Sequence, residues 1–294
     1  MKTTTCVESR GARAESLARD IRSRGRSGPR PSALGLRSRS AFTIVELLVV
    51  IAIIGILAAI LLPVLVKAKE SAKKTQAKKE ISDIVGAIQQ YDSVYGRFPV
   101  PNLPNPPFAN GGNDVTFGGP YTNSAGLTIG AVTNYVMTNS DVIAILMDLT
   151  NFQTGGPTAN VGYLKNPQKT IFLNAKMSGY NPASADEPSA GVDNDLNYRD
   201  PWGNPYLITM DLNYDEQCRD AFYCRQQVSQ TASGSQTGYN GLFNRDANGA
   251  SDNFQLQTKV MVWSMGPTVS GKPSFDPTKP ANDAANKGHI LSWQ

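Results

Sequence analysis

Residues 41–66 read AFTIVELLVVIAIIGILAAILLPVLV, and this stretch decides the architecture. From Phe42 to Val66 only Thr43, Glu46, Gly55 and Pro63 interrupt the apolar residues. A helix of this length spans a hydrocarbon core of about 30 Å. The run exceeds the roughly 7–15 apolar residues of a secretory signal. Lys67 and a long helical pattern follow it, where a signal would carry a small-residue cleavage site. The segment is therefore expected to stay in the membrane.

Outward from it the chain changes character on both sides. Residues 1–41 hold ten basic residues against three acidic ones, net +7, while the remaining 253 hold 18 basic against 21 acidic, net −3. The overall +4 averages two opposite parts. The leader is rich in Arg, Ser and Gly without helical periodicity, and reads as disordered. A nucleic-acid arm, a transit peptide and a start codon placed too far upstream are the plainer alternatives. Arginine-rich flanks stay in the cytoplasm, which predicts the N-terminus inside and everything after Lys67 outside. Lys67, Lys69, Lys73, Lys74, Lys78 and Lys79, just past the run, pull the other way.

Glu46 needs an explanation. A carboxylate costs roughly 2.5–3.5 kcal/mol at the bilayer centre and less near an interface. Either Glu46 lies close enough to the headgroups to avoid most of that cost, or it meets a positive partner. The run AFTIVELLVVIAIIGILAAILLP resembles the prepilin cleavage and methylation motif shared by type IV pilins and type II secretion pseudopilins. That resemblance implies cutting by a membrane prepilin peptidase between Ala41 and Phe42, then methylation of the new amine on Phe42. Glu46 becomes the fifth residue of the mature chain, positioned to meet the Phe42 amine of a neighbouring copy, and Pro63 falls where the family has a helix-loosening proline. The family's residue before the cut is nearly always glycine; here it is Ala41.

After Pro63, Ala77, Ile81, Ile84, Val85, Ile88 and Tyr91 recur at three- and four-residue steps, the mark of an amphipathic helix. Gly96 and Pro99 end it. The expected layout is a leader over 1–41 removed on processing, a membrane-spanning helix over 42–66, an amphipathic stem over 67–98 and a head over 99–294. The head is expected to be α+β, a small antiparallel sheet with long loops packed on the stem. DVIAILMDL (Asp141–Leu149) and NPQKTIFLNA (Asn166–Ala175) read as short helices, PYLITMDL (Pro205–Leu212) and KVMVWSMG (Lys259–Gly266) as strands, and Pro101–Thr133 and Gly179–Asn197 as loops.

YGRFP (Tyr95–Pro99), DPWGNPY (Asp200–Tyr206) and VWSMGP (Val262–Pro267) resemble successive landmarks of the major, G-type pseudopilin. Residues 100–199 and 212–258 then read as insertions. In that family calcium sits in the loop before the C-terminus. The matching stretch here is Gly266–Trp293, whose acids are Asp276 and Asp283, with Thr268 where an acid is expected. Calcium takes six to eight oxygens, so backbone and Asn oxygens would have to supply most of them. An ordinary ordered loop is the other reading.

Cys218 and Cys224 bracket CRDAFYC outside the membrane, where both a bridge and two free thiols are open. His289 is the one histidine, expected at the surface, and no H-E-x-x-H, G-x-S-x-G or phosphate loop occurs. The expected function is structural, not enzymatic: a homopolymer subunit of a type II secretion pseudopilus. Its implied partners are minor pseudopilins, the prepilin peptidase, an inner-membrane platform with its ATPase, and membrane lipid before assembly, with no nucleic acid. The alternatives are a surface type IV pilin and, from another class, a single-pass anchored enzyme or binding domain.

Overall fold

The computed structural model describes residues 42–103, 114–119, 121–122, 128–129, 136–269, 272–273 and 275–294. The leader, with Ala41, lies outside them. The chain divides into two compact units, one ending at Ile56 and one covering Leu57–Gln294.

Helix α1 runs Ile44–Tyr95, 52 residues with Pro63 inside it. Proline lacks an N–H, so the carbonyl of Ala59 loses its intrahelical donor at that point. In the first unit every residue from Phe42 to Ile56 is exposed, which is what a helix apolar on all sides shows when no protein surrounds it. In the second unit α1 buries Ala77, Ile81, Ile84, Ala87, Ile88 and Tyr91, one stripe at three- and four-residue spacing. Gly96 ends the helix at φ +62°, and its N–H donates to the carbonyl of Asp92 at 2.7 Å. Only glycine enters this left-handed conformation at low cost.

The stripe packs on a five-stranded sheet. In chain order its strands are β1 (Val115–Phe117), β2 (Val136–Met137), β3 (Leu207–Met210), β4 (Val260–Ser264) and β5 (Ile290–Leu291), arranged β5-β4-β3-β1-β2. Three of the four pairings are antiparallel; β1 and β2 run parallel. Side chains alternate across a strand, and both faces of β3 and β4 are used. Ile208, Met210, Val260 and Val262 join α1 and α2 (Ser140–Leu146) in one core. Leu207, Met261 and Trp263 point the other way into a second core with Phe222, Tyr223, Val228, Leu242, Phe254 and Phe275.

That second core gives residues 212–258 a role in the fold: the segment covers what would otherwise be an exposed apolar sheet face. Three expectations change. Asn166–Ala175 is irregular, because the Asn166 side chain takes the N–H and C=O of Thr170 that a helix would have paired. The N–H groups of Phe172 and Leu173 then cap the carbonyl of Leu146 at the end of α2. Within Pro101–Thr133, expected as loop, Val115–Phe117 forms an inner strand. His289 is buried, its Nδ1 2.7 Å from the Tyr223 hydroxyl and its ring centre 4.9 Å from that of Trp263.

Candidate functional site

The start of α1 is built from Thr43 and Glu46. Thr43 precedes the first helical residue, and its hydroxyl accepts the N–H of Glu46 at 3.2 Å. Glu46 reaches back, its Oε2 accepting the Thr43 N–H at 2.8 Å and the Thr43 hydroxyl at 2.9 Å. This is a capping box, in which two donors that a helix start leaves unpaired satisfy each other's partners. The T-x-x-E pattern that marks such a box is present in the sequence, where Thr43 also interrupts the apolar run. Glu46 therefore has a local employment besides any charge partner. Phe42, expected to carry the new amine, is 81% exposed next to it.

The landmarks DPWGNPY and VWSMGP meet in space. Asp200 is buried and its carboxylate accepts the N–H groups of Trp202 and Asn204, both at 2.9 Å, and the Ser264 hydroxyl at 2.6 Å. Asn204 Nδ2 donates to the carbonyl of Gly266 at 3.1 Å. Burial pushes the Asp200 carboxyl up to about 6 while these donors pull it down. Gly203 sits at φ +90°, and a Cβ there would come 2.6 Å from the Pro188 carbonyl oxygen, so the turn requires glycine. The turn clasps the stem at two points. Trp202 Nε1 donates to Glu70 Oε2 at 3.3 Å, and the Tyr206 hydroxyl to Glu80 Oε2 at 2.5 Å. The YGRFP end is tied separately, by the hydroxyls of Tyr91 to the Lys165 carbonyl and of Tyr95 to Asn166.

The terminal loop tests the calcium expectation through its donors. Asn286, buried, donates through Nδ2 to the carbonyls of Asp276 and Lys279 at 2.9 Å and of Pro280 at 3.2 Å. Its Oδ1 accepts the Asp276 N–H at 2.8 Å. The Asp276 carboxylate is turned to the N–H and hydroxyl of Thr278, and that of Asp283 to the N–H of Ala285. An amide NH₂ thus occupies the middle of the carbonyl cluster that a cation would need, and the two carboxylates serve separate turns. As arranged, these oxygens serve the loop's own hydrogen bonds, and among the described residues no group of three or more acidic, His or Cys side chains gathers as a metal site would.

Cys218 and Cys224 are two free, buried thiols, so of the two alternatives the structure holds the unbridged one. Burial raises both, Cys224 to about 12, which keeps them in the unreactive protonated form. Between them Asp220 is fully buried and accepts the Thr209 hydroxyl, the Trp263 indole and the N–H groups of Phe222 and Tyr223. It pins the 212–258 segment to the sheet.

Comparison with known proteins concentrates on the helix start. Residues 36–62 match the family model of the prokaryotic N-terminal methylation motif. Over 55 residues the chain is 42% identical to a protein named type II secretion system core protein G from Pseudomonas aeruginosa. That stretch is 19% of this chain and 39% of the relative, so the chain spans well under half the length of the protein it matches and is itself about twice as long. No solved structure matches. Motif and similarity together support a type IV pilin-like or type II pseudopilin-like protein with an α+β fold.

Proposed function

We propose that this chain is a structural subunit of a type II secretion pseudopilus, anchored in the inner membrane by α1 with its head on the periplasmic side and drawn from there into a filament. The observation that carries the reading is the composition of the helix start. A fully exposed apolar run opens on Phe42 with a single acid, Glu46, four residues in. Apolar side chains with no protein cover seek lipid first and equivalent helices second. Glu46 is then the one group in the run that can be satisfied by charge, and the Phe42 amine of a neighbour, created by cleavage after Ala41, matches it. The similarity of this same stretch to a core protein of a secretion system supports the choice of machine. The partners would be further copies, minor subunits, the peptidase, and the platform with its ATPase.

Co-expression with a prepilin peptidase tests this. The expected product is shorter by the leader and begins at Phe42 by N-terminal sequencing. Cleavage beyond the apolar run, near Ala68 or later, contradicts it.

A second reading, a surface pilin, is favoured by one observation. The second core on the far sheet face enlarges the head with outward Gly-, Asn- and Gln-rich turns, which suits exposure outside the cell. Electron microscopy of intact cells separates the two: filaments extending beyond the outer membrane at native expression favour the surface pilin.

A further inference from the structure

The lysines past the apolar run lie outside the buried core of the head. Lys67, Lys69, Lys74, Lys78 and Lys79 are exposed and Lys73 is half-buried. The first residue that α1 buries is Ala77, so its turns from Lys67 to Gln76 bury no residue fully. Lys79 is bridged to Asp83 at 2.6 Å. The single acid among residues 67–79, Glu70, is taken by the indole of Trp202. At about 100° per residue, the six lysines fall at roughly 0, 200, 240, 340, 20 and 120° around the helix. The four nearest the apolar run, Lys67, Lys69, Lys73 and Lys74, share one arc of about 160°, and Lys78 and Lys79 extend it. They follow the apolar run directly, where a helix leaving the hydrocarbon meets the headgroups.

Lys67 to Lys74 climb about 10 Å along the axis, inside a headgroup layer of about 5–8 Å plus one Debye length of about 8–10 Å. Their four-carbon stems let the ammonium groups of the upper pair reach back. Lys78 and Lys79 rise about 17–18 Å, at the outer edge of that range. A second observation marks the same level. Trp202, brought by the Asp200 turn, lies against Glu70, with the Lys73 ammonium 5.8 Å from its ring centre. Tryptophan is the side chain that membrane interfaces select, apolar in body with a polar edge. The collar also explains a conflict in the sequence. Four lysines beside the head oppose the orientation set by the leader, and their cost is offset only if something negative awaits them there.

We propose that Lys67, Lys69, Lys73 and Lys74, with Trp202, form a collar that binds anionic phospholipid headgroups in the leaflet nearest the head. The inference rests on α1 spanning the membrane. The collar would hold the subunit at fixed depth before assembly and would have to be released when the subunit leaves the bilayer.

The test uses the full chain in phosphatidylcholine vesicles carrying trace spin-labelled phosphatidylglycerol or spin-labelled phosphatidylcholine, reading the motionally restricted fraction of each. The wild type should prefer phosphatidylglycerol by roughly three- to tenfold at low salt, and much less at high salt. The variant with all four lysines changed to Gln should lose most of that preference. The four-Arg variant should keep it, and Lys78→Gln with Lys79→Gln should change it little. The leader's arginines are common to all variants and cancel in the comparison. An unchanged preference in the four-Gln variant overturns the collar, as does a loss equal to it from the Lys78 and Lys79 pair. Cross-linking of the collar to an acidic face of a second copy, with lipid preference unaffected, would assign it to assembly instead. A wild-type chain that does not insert into the vesicles overturns the anchoring reading itself, and the collar with it.

Discussion

Glu46 serves two demands that a single substitution separates. Its carboxylate closes the capping box with Thr43, and in the proposed filament it also meets a neighbour's amine. Gln at the third helical position retains the box, because its amide oxygen accepts the same N–H. Ala removes both functions. Glu46→Ala should leave membrane insertion and cleavage intact while filament yield in sheared fractions falls to background. If charge pairing drives assembly, Glu46→Gln should fail nearly as badly despite an intact cap; wild-type yield from Gln would mean that the hydrogen bond suffices. Normal filaments from Glu46→Ala would end the pairing mechanism. Asp114 offers a residue-scale test of the head. Burial first, then the nearby Asp211 and Asp215, push its carboxyl up to about 7, against the pull of the Arg219 and Leu212 N–H groups. A carboxyl raised above its unfolded value of about 4 favours the fold while protonated. That contribution is complete below about pH 4 and is lost as pH rises through about 7. Stability of the wild type relative to Asp114→Asn should therefore decline by roughly 2–4 kcal/mol between pH 4 and 8, measured by urea unfolding. A constant difference would mean that Asp114 titrates normally.

At the scale of elements, α1 in the second unit depends on its stripe. Ile84 is completely buried against the sheet, and Ile84→Ala should cost about 2–5 kcal/mol, lowering the thermal midpoint of the head. Ile44→Ala, at a position 84% exposed, should leave that midpoint unchanged. The terminal loop is held by one amide. Asn286→Ala should lower the midpoint through about 1–3 kcal/mol of unpaired carbonyls, and the wild type should melt alike in calcium and in chelator. A clear calcium-dependent rise in the wild type would mean that the Asn286 cluster rearranges around the cation. These elements also show what the sequence made legible. α1, its end at Gly96, α2, β3 and β4 were readable because their signals are periodic or terminal and repeat over many residues. Val115–Phe117 was not, since three residues carry no period. Asn166–Ala175 misled because its helix-like composition was overruled by one side chain pairing with Thr170. Asn286 carried no local signal at all: its importance depends on three carbonyls brought round by the loop. Thr43 was legible in the T-x-x-E pattern and was overshadowed by the apolar run.

For the molecule as a whole, the division of labour follows from where apolar surface is left uncovered. The head covers both faces of β3 and β4 with its own chain, one with α1 and one with residues 212–258. No residue of the apolar run of α1 is buried, and so the run must be covered by lipid or by copies of itself. A filament is the arrangement in which identical helices supply that cover to each other once lipid is left behind. The central claim is that this chain polymerises after cleavage, and the direct measurement is made in cells supplying a prepilin peptidase, assembly platform and ATPase. Sheared fractions should contain filaments, visible by electron microscopy, whose subunits begin at Phe42. Processed chain that remains wholly in the membrane fraction, with no filaments in the presence of a working machine, would contradict the account.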